Sequence, residues 1–387
     1  MYINFWYPAI ASKDLSADQP ARVQMLGQQF VLFRDANGQP CCLSDTCVHR
    51  GGALGQGKMR DGNVACPYHG WRFDGSGRCV QIPSMGADAK VPARAKLDAY
   101  PVEEKYGIIF AFLGDLPEAE RPPLMECPEY GTEGWRANLI IFDVSCSYAR
   151  SIENGMDPAH NEFVHPSHGY HGEREDFAVP EIELEQQDWG CGFTQTFQSH
   201  DRVGKDSPTR SKMRTDKDGK FQGEAEAGTW HHGPAAMLTK IHMATHNWMH
   251  QYMYECPIDD RNIRVFLVNM RNCVLEPTAD KQVEDRCKVI AGQDIEIVEA
   301  LQPTKTPPAA IREVIVAADS VIVGYRRWLR KWTELGWRID TRKVRQMQQE
   351  GDAVFAIPSP ARRTEKNWAL DTVPLISVAS GTDSAAA

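Results

Sequence analysis

The chain has 387 residues, 42% hydrophobic and 25% charged, which is the balance of a globular protein with cores for one large or two ordinary domains. Lys and Arg number 43 against 52 Asp and Glu, a formal net charge of −9 with no basic cluster, so the chain lacks the footprint of a nucleic-acid binder. The opening residues carry no leader pattern and no run approaches the ~18 apolar residues of a membrane span, so a cytoplasmic protein without membrane contact is expected.

The first predicted elements are strands. Gln28 to Phe33 is a strand-like run, Asp35-Ala36-Asn37-Gly38 supplies turn chemistry, and Pro40 to Leu43 starts the return. Residues 45–80 are rich in Gly and Cys, with a second hairpin tip at Arg72 to Arg78, and Tyr106 to Leu113 reads as a buried strand. A linker at 118–123 places the domain boundary near residue 118, giving a first domain over 1–118 and a second over 119–375. Beyond it, Ser147 to His165 reads as a helix reshaped around Pro158, and Asn262 to Asn269 as a strand. Residues 276–300 form a helix with Val283, Cys287, Val289, Ile290, Ile295 and Val298 close to one face, and Ile311 to Trp337 another. Residues 376–387 are small and polar and read as a disordered tail. The fold class is therefore α+β.

The 11 cysteines, an odd number, point to reduced thiols, some of them metal ligands, rather than a disulfide framework. Cys47-Val48-His49 is followed, after sixteen intervening residues, by Cys66-Pro67-Tyr68-His69, so each half offers one thiolate and one imidazole. Four such ligands can hold a structural zinc or a two-iron cluster. No Cys-x2-Cys pair occurs, and the uneven halves match a Rieske centre, where two cysteines hold one iron and two histidines the other. Gly51, Gly52 and Gly70 would let backbone N–H groups approach cluster sulfurs. Cys41, Cys42 and Cys79 fall outside the spacing and read as buried thiols.

A second constellation follows. His160 and His165 are five apart, about 140° on an ideal helix, so a local kink is needed to bring both imidazoles to one metal. Two histidines need one carboxylate to complete the face that suits mononuclear Fe(II). Asp294 is the best local candidate, but residue chemistry leaves Glu296 and Glu299 open.

These residues resemble the Rieske non-heme iron ring-hydroxylating oxygenases, in their α-subunit architecture, across essentially the whole chain. Cys47 to Trp71 resembles the family's cluster motif, and Asn154-Gly155-Met156-Asp157-Pro158-Ala159-His160 with His165 its iron motif. The segment Gln293-Asp294-Ile295 resembles the one carrying the third iron ligand, which assigns that role to Asp294. The opening Asn4 to Ala9 and the stretch Tyr325 to Leu329 resemble the monooxygenase and demethylase branch, which includes dicamba demethylase-like and saxitoxin hydroxylase-like enzymes. The resemblance implies an N-terminal all-β domain holding the [2Fe–2S] cluster through Cys47, His49, Cys66 and His69. A helix-grip-like catalytic domain with an antiparallel sheet would follow, holding mononuclear Fe(II) through His160, His165 and Asp294. It further implies a head-to-tail homotrimer in which Asp157 bridges a cluster histidine and an iron-ligand histidine of adjacent subunits.

The activity so implied is O2-dependent hydroxylation or oxidative demethylation of an organic substrate, aromatic or polycyclic. Arene cis-dihydroxylation is the alternative within enzymes; a Rieske electron-transfer or zinc-binding protein is the alternative outside them. No G-x-G-x-x-G fingerprint follows a strand, so electrons must come from a separate NAD(P)H-dependent reductase, with or without a ferredoxin. The substrate pocket is expected within 200–255, where Met237, His242, Met249, His250, Tyr252 and Met253 also crowd; the same residues would equally suit a sheet core. Asn154, Trp230, His232, Met243 and Trp248 are the candidates to surround the iron or line that pocket. His168 and His171 read as surface or lid residues.

Overall fold

The computed structural model describes residues 1–86, 89–168, 172–198, 213–215, 224–307, 312–351 and 353–376. By contacts the chain divides into two compact units. One takes in Met1–Leu124, Ile258–Asp260 and the chain from Arg330; the other Met125–Pro257 and Arg261–Leu329.

The first unit is built from short antiparallel strands: β1 (Phe5–Ala11), β2 (Ala21–Met25), β3 (Gln28–Arg34), β4 (Pro40–Ser44), β5 (Lys58–Arg60), β6 (Asn63–Ala65), β7 (Arg72–Phe73), β8 (Cys79–Gln81), β9 (Ala99–Tyr100), β10 (Val102–Lys105) and β11 (Ile108–Leu113). They form three sheets, ordered β1-β11-β10, β2-β3-β4-β9 and β5-β6-β7-β8. All six residues of β11 are buried, as its continuous apolar run requires of a central strand. Both hairpin tips use the same device. The Asp35 carboxylate accepts the N–H groups of Asn37 and Gln39 at 2.8 and 2.9 Å, and Asp74 does the same for Ser76 and Arg78 at 2.9 and 3.1 Å.

The chain from Arg330, placed by sequence in the second domain, packs with the first unit instead. Trp332 lies edge-on to Phe5 at 4.9 Å, Arg362 grips Asp98 through two bonds of 2.6 and 2.7 Å, and Lys96 pairs with Glu365 at 2.7 Å. Of residues 376–387, expected as a tail, Ile376 is described, its N–H donating to the Arg338 carbonyl at 2.8 Å, and 377–387 lie outside the described residues.

The second unit is a seven-stranded antiparallel sheet in the order β12-β18-β17-β16-β15-β14-β13. Its strands are β12 (Arg136–Val144), β13 (Glu185–Gln187), β14 (Gly190–Gln198), β15 (Glu224–His232), β16 (Ala236–Ala244), β17 (Asn247–Pro257) and β18 (Ile263–Arg271). Helix α1 (Tyr148–Met156) lies against β15, β16 and β17, and α3 (Asp280–Ala300) against β12, α1 and the short α2 (Asn161–Val164). Pro158 disfavours helical geometry at the residue before it, and Asp157 is extended with φ −79° and ψ 116°, which ends α1. On α3 the inward stripe is Val283, Cys287, Ile290, Asp294 and Val298. Val289, expected on that face, is 56% exposed, because two residues of helix turn it about 200° from Cys287. Among the described residues no helix is long and apolar enough to cross a membrane.

Candidate active site

Two centres emerge, one in each unit. In the first unit, Cys47 follows β4 and Cys66 follows β6, and both loops close in the same way. The N–H of Gly51 donates to the Cys47 carbonyl at 2.9 Å, and that of Gly70 to the Cys66 carbonyl at 3.0 Å. Both glycines have φ of 71°, a left-handed conformation that a side chain resists. Asp45 braces the first loop, accepting the Gly55 N–H at 2.6 Å and pairing with Arg22 at 2.7 Å.

The thiols are buried among Val31, Leu43, Leu54, Val64 and Phe73, whereas the imidazoles of His49 and His69 are exposed with ring centres 4.5 Å apart. Trp71 stacks flat on His49 at 4.6 Å. A Cβ at Gly52 would stand 2.7 Å from the Cys66 Sγ, so only glycine leaves room there. Burial pushes the Cys47 thiol up to about 12, and a thiol so placed keeps its proton unless a metal replaces it. None of the eleven cysteines is in a disulfide; Cys42 and Cys79 are buried and Cys41 half-buried.

A single zinc would draw its ligand atoms within ~4 Å of one another. Among the described residues, the only group of three or more His, Cys, Asp or Glu ligand atoms all within 4.8 Å is His160, His165 and Asp294. The Cys47, His49, Cys66, His69 set is spread wider, with sulfurs inside and nitrogens outside. That suits two irons and not one zinc.

In the second unit, His160 and His165 flank α2, and the break at Pro158 supplies the kink their spacing required. The His160 Nδ1–H donates to the Asp157 carbonyl at 2.5 Å and the His165 Nδ1–H to Gln293 Oε1 at 3.1 Å. These bonds leave both Nε2 atoms as acceptors, 3.2 Å apart, and Asp294 Oδ1 lies 3.5 and 3.4 Å from them. Ligands ~2.1 Å from one metal at right angles would be ~3 Å apart, so this triangle fits one face of an octahedron. Burial holds His165 below its ordinary value, with Asp294 opposing, so the imidazole is neutral and able to bind metal. Asn154 donates to Asp294 Oδ1 at 3.0 Å, and Ser167 to Gln293 at 2.8 Å. Asp157 Oδ1 accepts the Ala159 N–H at 2.7 Å, and burial raises its carboxyl pKa. Glu296 and Glu299 are not in the triangle; Glu299 instead accepts the Ser145 N–H at 2.8 Å.

The triangle opens on a cavity of about 480 Å³ lined by the sheet, α1, α2 and α3. Alternation along the strands decides which residues face it. Thr229 on β15, Met237, Thr239, Ile241 and Met243 on β16, and Met249, Gln251 and Met253 on β17 line it, in register across the sheet. Of the sequence candidates, Asn154 and Met243 therefore belong to the cavity, whereas Trp230, His232 and Trp248 do not. Their parity turns them to the opposite face, where Trp230 donates to Glu185 at 2.8 Å and Trp248 stacks on His242 at 4.0 Å. His168, read as a surface or lid residue, lines the cavity with its ring 4.8 Å from that of His165; His171 lies outside the described residues, as does most of 200–223.

Comparison with known proteins agrees with this layout. Residues 5–101 match the family model of the Rieske [2Fe-2S] domain, and residues 144–335 that of the vanillate O-demethylase oxygenase C-terminal domain. The chain belongs to the Rieske oxygenases, an oxidoreductase family whose members hold a [2Fe–2S] cluster and a mononuclear iron. Its second domain is of the vanillate O-demethylase type. The chain is 40% identical over 166 residues to chlorophyllide a oxygenase of Chlamydomonas reinhardtii, covering 42% of this chain and 24% of that one. It is 26% identical over 265 residues to the 5,5'-dehydrodivanillate O-demethylase oxygenase subunit of Sphingobium sp. strain SYK-6, covering 67% of this chain and 56% of that one. Its fold is similar to that of NdmA of Pseudomonas putida CBB5, solved with caffeine. That match has a TM-score of 0.70 at 22% identity and covers 84% of this chain and 90% of that one.

Proposed function

We propose that this chain is the oxygenase component of a Rieske monooxygenase that hydroxylates or oxidatively demethylates an organic substrate, aromatic or polycyclic. The observation that carries this reading is the His160, His165, Asp294 triangle opening on an apolar cavity of about 480 Å³, a size that encloses a small organic molecule. In this reading Cys47 and Cys66 hold one iron of the cluster, His49 and His69 the other, and the triangle holds the mononuclear iron. When bound, these groups supply O2 activation with electrons relayed from the cluster.

The chain's own residues do the rest. Asp157 and Gln293 fix the two imidazoles through their Nδ1–H bonds, and Asn154 orients Asp294. The walls of Met237, Ile241, Met249 and Met253 hold an apolar substrate and keep water from the reacting centre. Asp157 is also the candidate to join a cluster histidine of a neighbouring subunit in a head-to-tail homotrimer. A separate NAD(P)H-dependent reductase, with or without a ferredoxin, completes the system, in the cytoplasm.

The test is O2 uptake by the reconstituted system over a panel of aryl methyl ethers. Formaldehyde release in step with O2 consumption is expected for a productive substrate. Cis-diols as products would replace the reading with dioxygenation, and no substrate-dependent O2 uptake across the panel would overturn it.

A further inference from the structure

The cavity is largely apolar and carries a few charged side chains. Its two acidic residues, Asp157 and Asp294, both stand at the metal face. Two guanidinium groups line it as well, those of Arg214, which is 5% exposed, and Arg286.

Arg286 is the more informative. It projects from the inward face of α3 among Val283, Cys287 and Ile290. One of its N–H groups donates to the Ser167 carbonyl at 2.9 Å, and among the described residues no carboxylate pairs with it. Burial pushes its pKa down, which is the mark of a cation whose environment does not repay its lost hydration. Leaving a half-buried cation uncompensated is costly, and a planar guanidinium is suited to binding a carboxylate through two parallel bonds.

We propose that Arg286 is the specificity-determining residue for an anionic substrate, and that the substrate class is arene carboxylates. The proposal rests on reading the site as an oxygenase and goes on to say what it accepts. The carboxylate pairs with Arg286 while the ring lies against Met237, Ile241 and Met249. Arg286 and Asp294 are eight residues apart on α3, about 12 Å along the axis, so the oxidised carbon is at the end of the molecule away from the carboxylate. Arg214 adds a second positive group to the same cavity.

The test is calorimetric binding to the iron-loaded protein of methoxybenzoates, naphthoates and biphenylcarboxylates, each against its own methyl ester. At least one acid is expected to bind about 30-fold more tightly than its ester. Arg286→Gln should bring that acid to the level of the ester and leave ester binding and iron content unchanged, while Arg286→Lys keeps part of the preference. The proposal is overturned if no acid in the panel outbinds its ester, or if Arg286→Gln binds the acid as tightly as the intact protein. The acid–ester comparison needs no variant, so a substitution that disturbs folding cannot decide it. Binding is read without turnover, and iron content is measured on the same samples. Failure of the oxygenase reading would show as absent mononuclear iron, and failure of this proposal as absent acid preference in a protein with full iron.

Discussion

Replacing His160 with alanine is expected to leave about two irons per chain where the intact protein holds about three, with the cluster intact. The His160 Nε2 is one corner of the triangle, 3.2 Å from His165 and 3.5 Å from Asp294, and two corners do not make a facial site. Second-layer substitutions around metal sites already cost 10- to 100-fold, so loss of a ligand should lower oxygenase turnover by at least about 100-fold. The cluster ligands belong to the other compact unit, so the EPR signal of the reduced cluster should persist. Iron and sulfide content, the EPR spectrum and O2 uptake on one preparation check all three statements. Full turnover in the variant would remove His160 from the site.

The second large effect concerns stability. Glu255 on β17 is fully buried; its Oε1 accepts the Ser151 hydroxyl at 2.6 Å, and among the described residues its Oε2 has no hydrogen-bond partner. Burial raises its pKa from 4.5 to about 8, partly opposed by the Ser151 bond. The folded protein therefore binds this proton more tightly than the unfolded chain does. Stability contributed by the neutral carboxyl is fully present below pH 4.5 and is lost as pH rises toward 8. Between pH 6 and pH 8 the loss is about 2–3 kcal/mol. Glu255→Gln keeps the shape and cannot ionise, so its denaturant midpoint should vary much less over that range and exceed that of the intact protein at the alkaline end. Parallel pH dependence in both proteins would show that Glu255 is not the group responsible.

The two candidate metal centres were more legible in the sequence than the cavity between sheet and helices. Cys47 to His69, and His160 to His165, lie in short stretches, so the spacing itself carries chemistry. Asp294 lies far along the chain, and residue chemistry alone did not separate it from Glu296 and Glu299; the fold does so by helix phase. The bond from His165 to Gln293 went unread, although Gln293 adjoins Asp294 in sequence. Pocket residues were harder, because alternation along a strand splits a Met- and aromatic-rich stretch between two faces without saying which face is inward. Met237, Met249 and Met253 are on the cavity side and Trp230, His232 and Trp248 on the other. The packing of the chain from Arg330 with the first unit left no local mark either. It rests on pairs such as Asp98 with Arg362, which are distant in sequence.

The most direct test is to purify the protein anaerobically and measure iron, labile sulfide and zinc alongside the EPR spectrum of the reduced state. About three irons and two sulfides per chain with a Rieske-type signal are expected, two irons in the cluster and one at the triangle. Zinc without labile sulfide would contradict the account and make Cys47, His49, Cys66 and His69 a structural zinc site.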